Sequence, residues 1–314
     1  MPLASETPMN SNPFYPIGIP GQAWGEYERK QWRARQSVQR RYAQDVVPRI
    51  EAMTDQFDII TYGQLDYAEE IYSLFALRNG PHDPALPTAF VTGGVHGYET
   101  SGIMGALEFL ETRAADYVGK INLLVAPCVS PWAYERVNRW NYNALDPNRN
   151  FKTGSEAAEC AALMALVAAQ PGPFLLHIDL HETTDSDETE FRPALAARDG
   201  KSYEPDTVPD GFYLVDDSAN PQPAFQQAII AAVERVTHIA PPDENDMIIG
   251  SPVVADGVIE YPQAQYAMCG AMTDARFRTT TEVYPDSPRA TPQICDEAQV
   301  TAVCAALDYA LAHA

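Results

Sequence analysis

Positive charge is scarce in this chain: Lys and Arg number 21 against 43 Asp and Glu, a net charge of -22 over 314 residues. A field of that sign repels phosphate backbones and anionic membrane surfaces, so neither nucleic acid nor membrane is an expected partner. An anionic substrate would need arginines of its own inside a pocket. Long apolar runs are missing as well, since no stretch approaches the roughly 18 apolar residues of a membrane helix. The opening Met-Pro-Leu-Ala-Ser-Glu-Thr-Pro has no basic segment followed by an apolar one. Cysteine is sparse: Cys128, Cys160, Cys269, Cys295 and Cys304 form no CxxC pair. That argues against a disulfide framework and against a thiolate zinc site, and it suits a reducing compartment. Together these absences lead to the expectation of a cytoplasmic protein. There is no internal repeat and no low-complexity tract.

What is present is ordinary globular composition, 46% hydrophobic and 20% charged, which rules out disordered, fibrous and coiled-coil classes. The length suits one large α/β domain. Residues 1–25, rich in Pro, Gly and Asn and including Asn12-Pro13 and Pro20-Gly21, read as a lead-in arm. Helical spacing of Tyr27, Trp32, Val38, Tyr42 and Val46 predicts a helix over 26–50, followed by a strand over 57–62. Strands are predicted over 71–77, 89–95, 121–126 and 174–180. Helices are predicted from Thr100 or Ser101 to Leu110, over 155–170 before Pro171-Gly172-Pro173, over 224–236 and over 299–312. Residues 184–209 read as loops near a site. Apolar strands alternating with helices are βαβ grammar and predict a largely buried sheet.

The chemistry-bearing residues gather at predicted strand ends. The run Gly93-Gly94-Val95-His96-Gly97-Tyr98-Glu99 places an imidazole and a carboxylate three residues apart on a turn after a strand, a spacing that suits two ligands of one metal. A hydrolytic zinc ion takes three ligands from His and Glu or Asp and keeps one position for water. The best third ligand is His181 in His177-Ile178-Asp179-Leu180-His181-Glu182, because strand ends in an open α/β sheet converge on one crevice. His177 competes but lies deeper on the same strand face, and Asp179, also on that face, could orient a ligand from behind. Between these segments, Arg136-Val137-Asn138-Arg139 and Asp146-Pro147-Asn148-Arg149-Asn150-Phe151 make a loop suited to binding a carboxylate or a developing oxyanion. Later, Thr279-Thr280-Thr281-Glu282-Val283 puts one carboxylate in a β-branched run, where partial burial beside an activated water would tune it as a general base.

GGxHGxE, an arginine followed by DPNRNF, a DLH strand end and a late TxTE strand, in that order, resemble the zinc metallocarboxypeptidase family, the carboxypeptidase A-like superfamily. The resemblance runs from about Tyr42 to the C-terminus. It implies a single α/β domain with a mixed, twisted sheet of about eight strands flanked by helices. It divides the chain into residues 1–40, an arm with the start of the first helix, and residues 41–314, a catalytic domain. It carries one zinc ion onto His96, Glu99 and His181, the oxyanion-polarising arginine onto Arg139, the carboxylate-binding pair onto Asn148 and Arg149, and the general base onto Glu282. The family's substrate-capping tyrosine precedes that base by about twenty residues, which points to Tyr261, or to Tyr266. The implied activity is removal of a C-terminal residue from a peptide with a free carboxylate. Asp179-Leu180-His181 followed by Thr183-Thr184 also looks like the succinylglutamate desuccinylase and aspartoacylase branch, which deacylates N-acyl amino acids. Arg139 and the complete Asn-Arg-Asn-Phe run favour the peptidase. An inactive metal- and peptide-binding relative is the third alternative. Glu182, Asp185 and Asp187 leave room for a second metal.

Overall fold

The most apolar segments of the chain occupy the middle of one sheet. The computed structural model describes residues 15–67 and 70–314, so Asn12-Pro13 and most of the lead-in arm lie outside the described residues. In chain order the elements are α1 (Glu26–Arg35), α2 (Tyr42–Asp45), α3 (Val47–Glu51), β1 (Asp58–Tyr67), β2 (Glu70–Arg78), β3 (Thr88–Gly93), α4 (Thr100–Thr112), β4 (Asn122–Ala126), α5 (Pro131–Arg136) and α6 (Ala158–Ala168). There follow β5 (Phe174–Glu182), α7 (Arg192–Arg198), β6 (Tyr213–Asp217), α8 (Pro223–Val233), β7 (Met247–Ile248), β8 (Ser251–Ala255), β9 (Val258–Tyr261), β10 (Phe277–Val283) and α9 (Pro292–Ala312).

The ten strands form one sheet in the order β1-β2-β4-β3-β5-β10-β6-β9-β8-β7. At its centre β4, β3, β5 and β10 are parallel, with antiparallel pairing at β1–β2, β2–β4 and β10–β6. Every residue of β3 and β4 is buried, as expected of strands covered on both faces. Strand alternation sorts their side chains. Ala89, Val91, Leu123, Val125, Leu176, Ile178 and Leu180 join the main core with α4, α8 and α9, whereas Phe90, Leu124 and Ala126 join a second core with α6. On that second face β5 offers His177, Asp179 and His181, all buried. The fold therefore sets a polar stripe in the middle of an apolar layer, and the site grows from it.

Three expectations need correction. The sheet has ten strands rather than about eight, the short β7 and β8 extending one edge. The helix expected over 26–50 stops at Arg35, and the chain runs on without helix until α2 because the Gln39 and Arg40 amides donate to the Glu135 carbonyl at 2.8 and 3.3 Å. Ile17 and Trp24 of the lead-in arm and Trp32 of α1 are core residues, Trp32 packing against Trp132 and Trp140. The stretch 184–209 is not all loop: a helical turn, Asp187–Phe191, leads into α7. Those elements are too short to show a period in the sequence. No helix among the described residues is long and apolar enough to cross a membrane.

Helix α6 also buries a carboxylate, Glu159, whose two oxygens lack a hydrogen bond of ordinary geometry. Burial raises its pKa, outweighing the opposite pull of its own backbone amide and of Asn141. An acid with a raised folded pKa binds its proton more tightly folded than unfolded, so stability is lost as pH rises above the ordinary glutamate range. Glu159→Gln, which has no proton to lose, should therefore melt at a higher temperature than the parent at pH 7.5, with the gap narrowing towards pH 4. Thermal melts at the two pH values check this, and a constant gap would contradict it.

Candidate active site

The turn after β3 is held from several sides. Gly94 adopts φ +64°, and a Cβ on Gly97 would strike the backbone of Ala133 and Tyr134. Arg40 reaches over from the segment before α2 and donates to the carbonyls of Tyr134 (2.7 Å) and Gly97 (2.5 Å) and to the Thr100 hydroxyl (2.8 Å). The Glu182 carboxylate accepts from the first amides of α4, Thr100 (3.1 Å) and Ser101 (2.7 Å). An acidic group at a helix N-terminus satisfies free N–H groups and meets the positive end of the dipole. His96 and Glu99 are thereby fixed at the mouth of the crevice.

His96, Glu99 and His181 meet there, all buried, each offering a ligand atom within 4.8 Å of the others. The Nδ1 atoms of both imidazoles face Glu99, at 2.7 Å from Oε1 for His96 and 2.7 Å from Oε2 for His181. Each Nε2 is backed by a carboxylate: Asp146 Oδ1 at 2.9 Å behind His96 and Asp179 Oδ2 at 2.7 Å behind His181. A carboxylate behind Nε2 holds the proton there and turns the Nδ1 lone pair towards the centre, as metal-binding histidines require. Glu99 Oε2 is buried without a well-aligned hydrogen bond, the condition expected of an atom shaped to meet a cation. Burial disfavours charge on these groups. Even so, Asp179 and Glu99 hold His181 well above the usual imidazole range, and His181 and His96 hold Glu99 down to about 2. The cluster thus stabilises positive charge at its centre, and two imidazoles with one carboxylate form a donor set that fits zinc.

Glu282 stands beside this cluster because β10 and β5 are parallel neighbours in which Glu282 and His181 are Cα partners. Its Oε2 accepts from the Thr183 hydroxyl at 3.0 Å, and Thr183 is 2.7 Å from the Tyr213 hydroxyl. Burial pushes Glu282 up to about 8, His181 pulling the other way. Arg139 donates through Nε to Asp146 (3.1 Å) and through Nη1 to Asp187 (3.1 Å) and the Tyr98 hydroxyl (3.2 Å). Its Nη2 has no hydrogen-bond partner among the described residues. Asn148 commits its side-chain carbonyl to the Cys269 amide at 2.7 Å, and its NH2 faces the cluster 3.4 Å from His181 Nε2. Glu282, Thr183, Tyr213, Arg139 and Asn148, with Arg149 and Tyr261, line one cleft of about 490 Å³. Tyr261 ends β9 on the cleft wall, while Tyr266 is 46% exposed and stacks edge-on against it.

The three carboxylates considered for a second metal point to separate partners. Glu182 caps α4, Asp187 takes Arg139, Tyr98 and the Thr184 amide, and Asp185 accepts from the Tyr284 hydroxyl. His96, Glu99 and His181 form the one metal-ligand cluster among the described residues. Sequence reasoning missed Arg40 and Tyr213, which carry no local motif, and gave Thr183 no role beside Glu282. It also left Asp146 without a role, although Asp before Pro at the start of a helical turn was a capping signal: its side chain accepts from the Asn148 amide at 2.9 Å.

No protein-family model matches the chain, and no curated protein is similar enough in sequence to be matched. Solved structures do match. A candidate metallopeptidase from Shewanella denitrificans superimposes with a TM-score of 0.61 at 16% identity, covering 84% of this chain and 88% of its own. A metallo-carboxypeptidase from Burkholderia cenocepacia gives 0.55 at 14%, covering 84% of this chain and 68% of its own. The fold is that of the metallo-carboxypeptidases. Bovine thrombin-activatable fibrinolysis inhibitor, solved with a tick carboxypeptidase inhibitor, has the same architecture, with a TM-score of 0.56 at 12% identity over 94% of this chain and 99% of its own. In this chain's version of the carboxypeptidase fold, the parallel strands β3, β5 and β10 deliver His96 and Glu99, His181, and Glu282 to one crevice.

Proposed function

We propose that the chain is a zinc-dependent hydrolase that removes the C-terminal residue of a peptide. The observation that carries this reading is the meeting, in one cleft, of an inward-facing His96-Glu99-His181 set, the neighbouring Glu282 carboxylate and the Asn148-Arg149 pair. Those three residues would hold a zinc ion, which when bound would supply Lewis acidity for a carbonyl and for a water. Glu282 takes the proton of the attacking water and returns it to the departing amine. Arg139, braced by Asp146 and Asp187, turns Nη2 to the oxyanion as charge develops. Arg149 and the Asn148 NH2 hold the carboxylate of the terminal residue, so only a terminal bond reaches the reacting groups. Tyr261 on the cleft wall closes over the bound residue. The Pseudomonas aeruginosa metallo-carboxypeptidase of this fold was solved with (2-guanidinoethylmercapto)succinic acid, a carboxylate ligand of the kind Arg149 would take.

The test is mass spectrometry of short peptides with free C-termini, the same peptides amidated at the C-terminus, and N-acyl amino acids, with and without a chelator. We expect single C-terminal residues to be released from the free acids, and this release to stop with chelator and return with zinc. Amidated peptides should be cut about 10–100-fold less well, the loss expected for a charge-assisted pair. Turnover confined to N-acyl amino acids would assign the deacylase chemistry of the succinylglutamate desuccinylase and aspartoacylase branch. Zinc binding without turnover of any substrate would leave a metal- and peptide-binding protein.

A further inference from the structure

His177, a histidine that the site does not use, lies four residues before the ligand His181, fully buried on the same face of β5. Its Nε2 is 3.2 Å from the Thr92 hydroxyl and its Nδ1 is 3.2 Å from the Thr273 hydroxyl. Thr92, the Cα partner of Asp179 across β3 and β5, donates to Asp179 Oδ1 at 2.6 Å. Asp179 Oδ2 meets His181 Nε2 at 2.7 Å.

The proton inventory gives this row a single direction. Thr92 has one hydrogen and spends it on Asp179, so towards His177 it can only accept, and His177 must carry its proton on Nε2. Burial lowers the His177 pKa to about 4, so the ring is neutral with a bare Nδ1, which accepts from Thr273. Asp179, its Oδ1 satisfied by Thr92, is left with Oδ2 for His181 Nε2–H, so Nδ1 is the ring atom turned towards Glu99 and the place of a metal. Each link fixes the next.

We propose that Thr92 and His177 are positioning residues for the metal centre, a buried relay that holds Asp179 and, through it, the metal-binding tautomer and ring orientation of His181. The inference rests on the zinc reading above. A merely structural network would affect folding alone, whereas this relay must also change metal affinity, and His177 must act only through Thr92.

The experiment measures zinc affinity by competition with a chromophoric chelator, together with melting of the metal-free protein, for the parent, Thr92→Val, Thr92→Ser, His177→Phe and the double variant Thr92→Val/His177→Phe. Loss of a group behind a metal ligand weakens affinity by about 10–100-fold, and Thr92→Val should fall in that range. Thr92→Ser, which keeps the hydroxyl, should bind like the parent. His177→Phe should weaken binding by less, and in the Thr92→Val background it should add nothing, a non-additivity that signals one shared path. Should Thr92→Val not fold, His177→Phe alone decides the matter, and unchanged affinity overturns the proposal. Lowered melting with parental zinc affinity in every variant would also overturn it, leaving a structural network. A parent protein that binds no zinc would instead overturn the zinc reading, and the inference with it.

Discussion

Replacing Glu282 with Gln should lower kcat by about 10³–10⁴-fold, the upper range for a group that both removes and returns a proton, while leaving bound zinc unchanged. Glu282 is not one of the three converging ligands. It faces the crevice from the neighbouring strand, with Oε2 anchored by Thr183, and Oε1 has no hydrogen-bond partner among the described residues. Burial pushes its pKa up to about 8, so charge there is disfavoured and a neutral amide of the same shape should not lower the melting temperature. The three measurements are turnover on a peptide with a free C-terminus, zinc content after dialysis, and a thermal melt. Turnover above a tenth of the parent value would remove Glu282 from the role of base. Loss of zinc would make it a ligand.

Arg139→Ala should fail in two separable ways. Nε and Nη1 of Arg139 are held by Asp146 and Asp187, with side-chain exposures of 20% for the arginine and 6% and 9% for the two acids. Deleting the guanidinium leaves two carboxylates with no cation between them, and breaking a buried pair in this way costs about 3–5 kcal/mol. Losing a donor aimed at a developing oxyanion costs about 10²–10³-fold in kcat. Lysine cannot repair both faults, because one ammonium does not span two carboxylates and a substrate as a planar fork does. Denaturant melts and single-turnover kinetics read the two effects apart. Lost stability with parental kcat would confine Arg139 to a structural brace, and lost kcat with parental stability would mean that Asp146 and Asp187 do not depend on it.

Much of the candidate site was legible because its signals are short in sequence. His96 and Glu99 share one turn, and Asn148 and Arg149 are adjacent. Leu176, Ile178 and Leu180 alternate with His177, Asp179 and His181 in a pattern that only a strand between two layers would carry. What could not be read depends on contacts between distant segments. The 36–41 stretch has the composition of a helix, yet it forms none, and Glu135, nearly a hundred residues later, accepts the Gln39 amide. Arg40 is one arginine among many until the fold sets it against Gly97 and Thr100. Glu182, Asp185 and Asp187 form an acidic run that could suit a metal, and the fold sends them to three different partners instead.

By itself, then, the sequence determined the class of fold, the strand ends that bear the chemistry and the residue types gathered there, because alternation, turn chemistry and ligand spacing are properties of neighbouring residues. The tertiary structure alone decided that Glu282 sits beside His181 and that Thr92 stands across from Asp179. Those facts are matters of register between β3, β5 and β10, where a shift of one residue would turn every one of these side chains to the opposite face of the sheet.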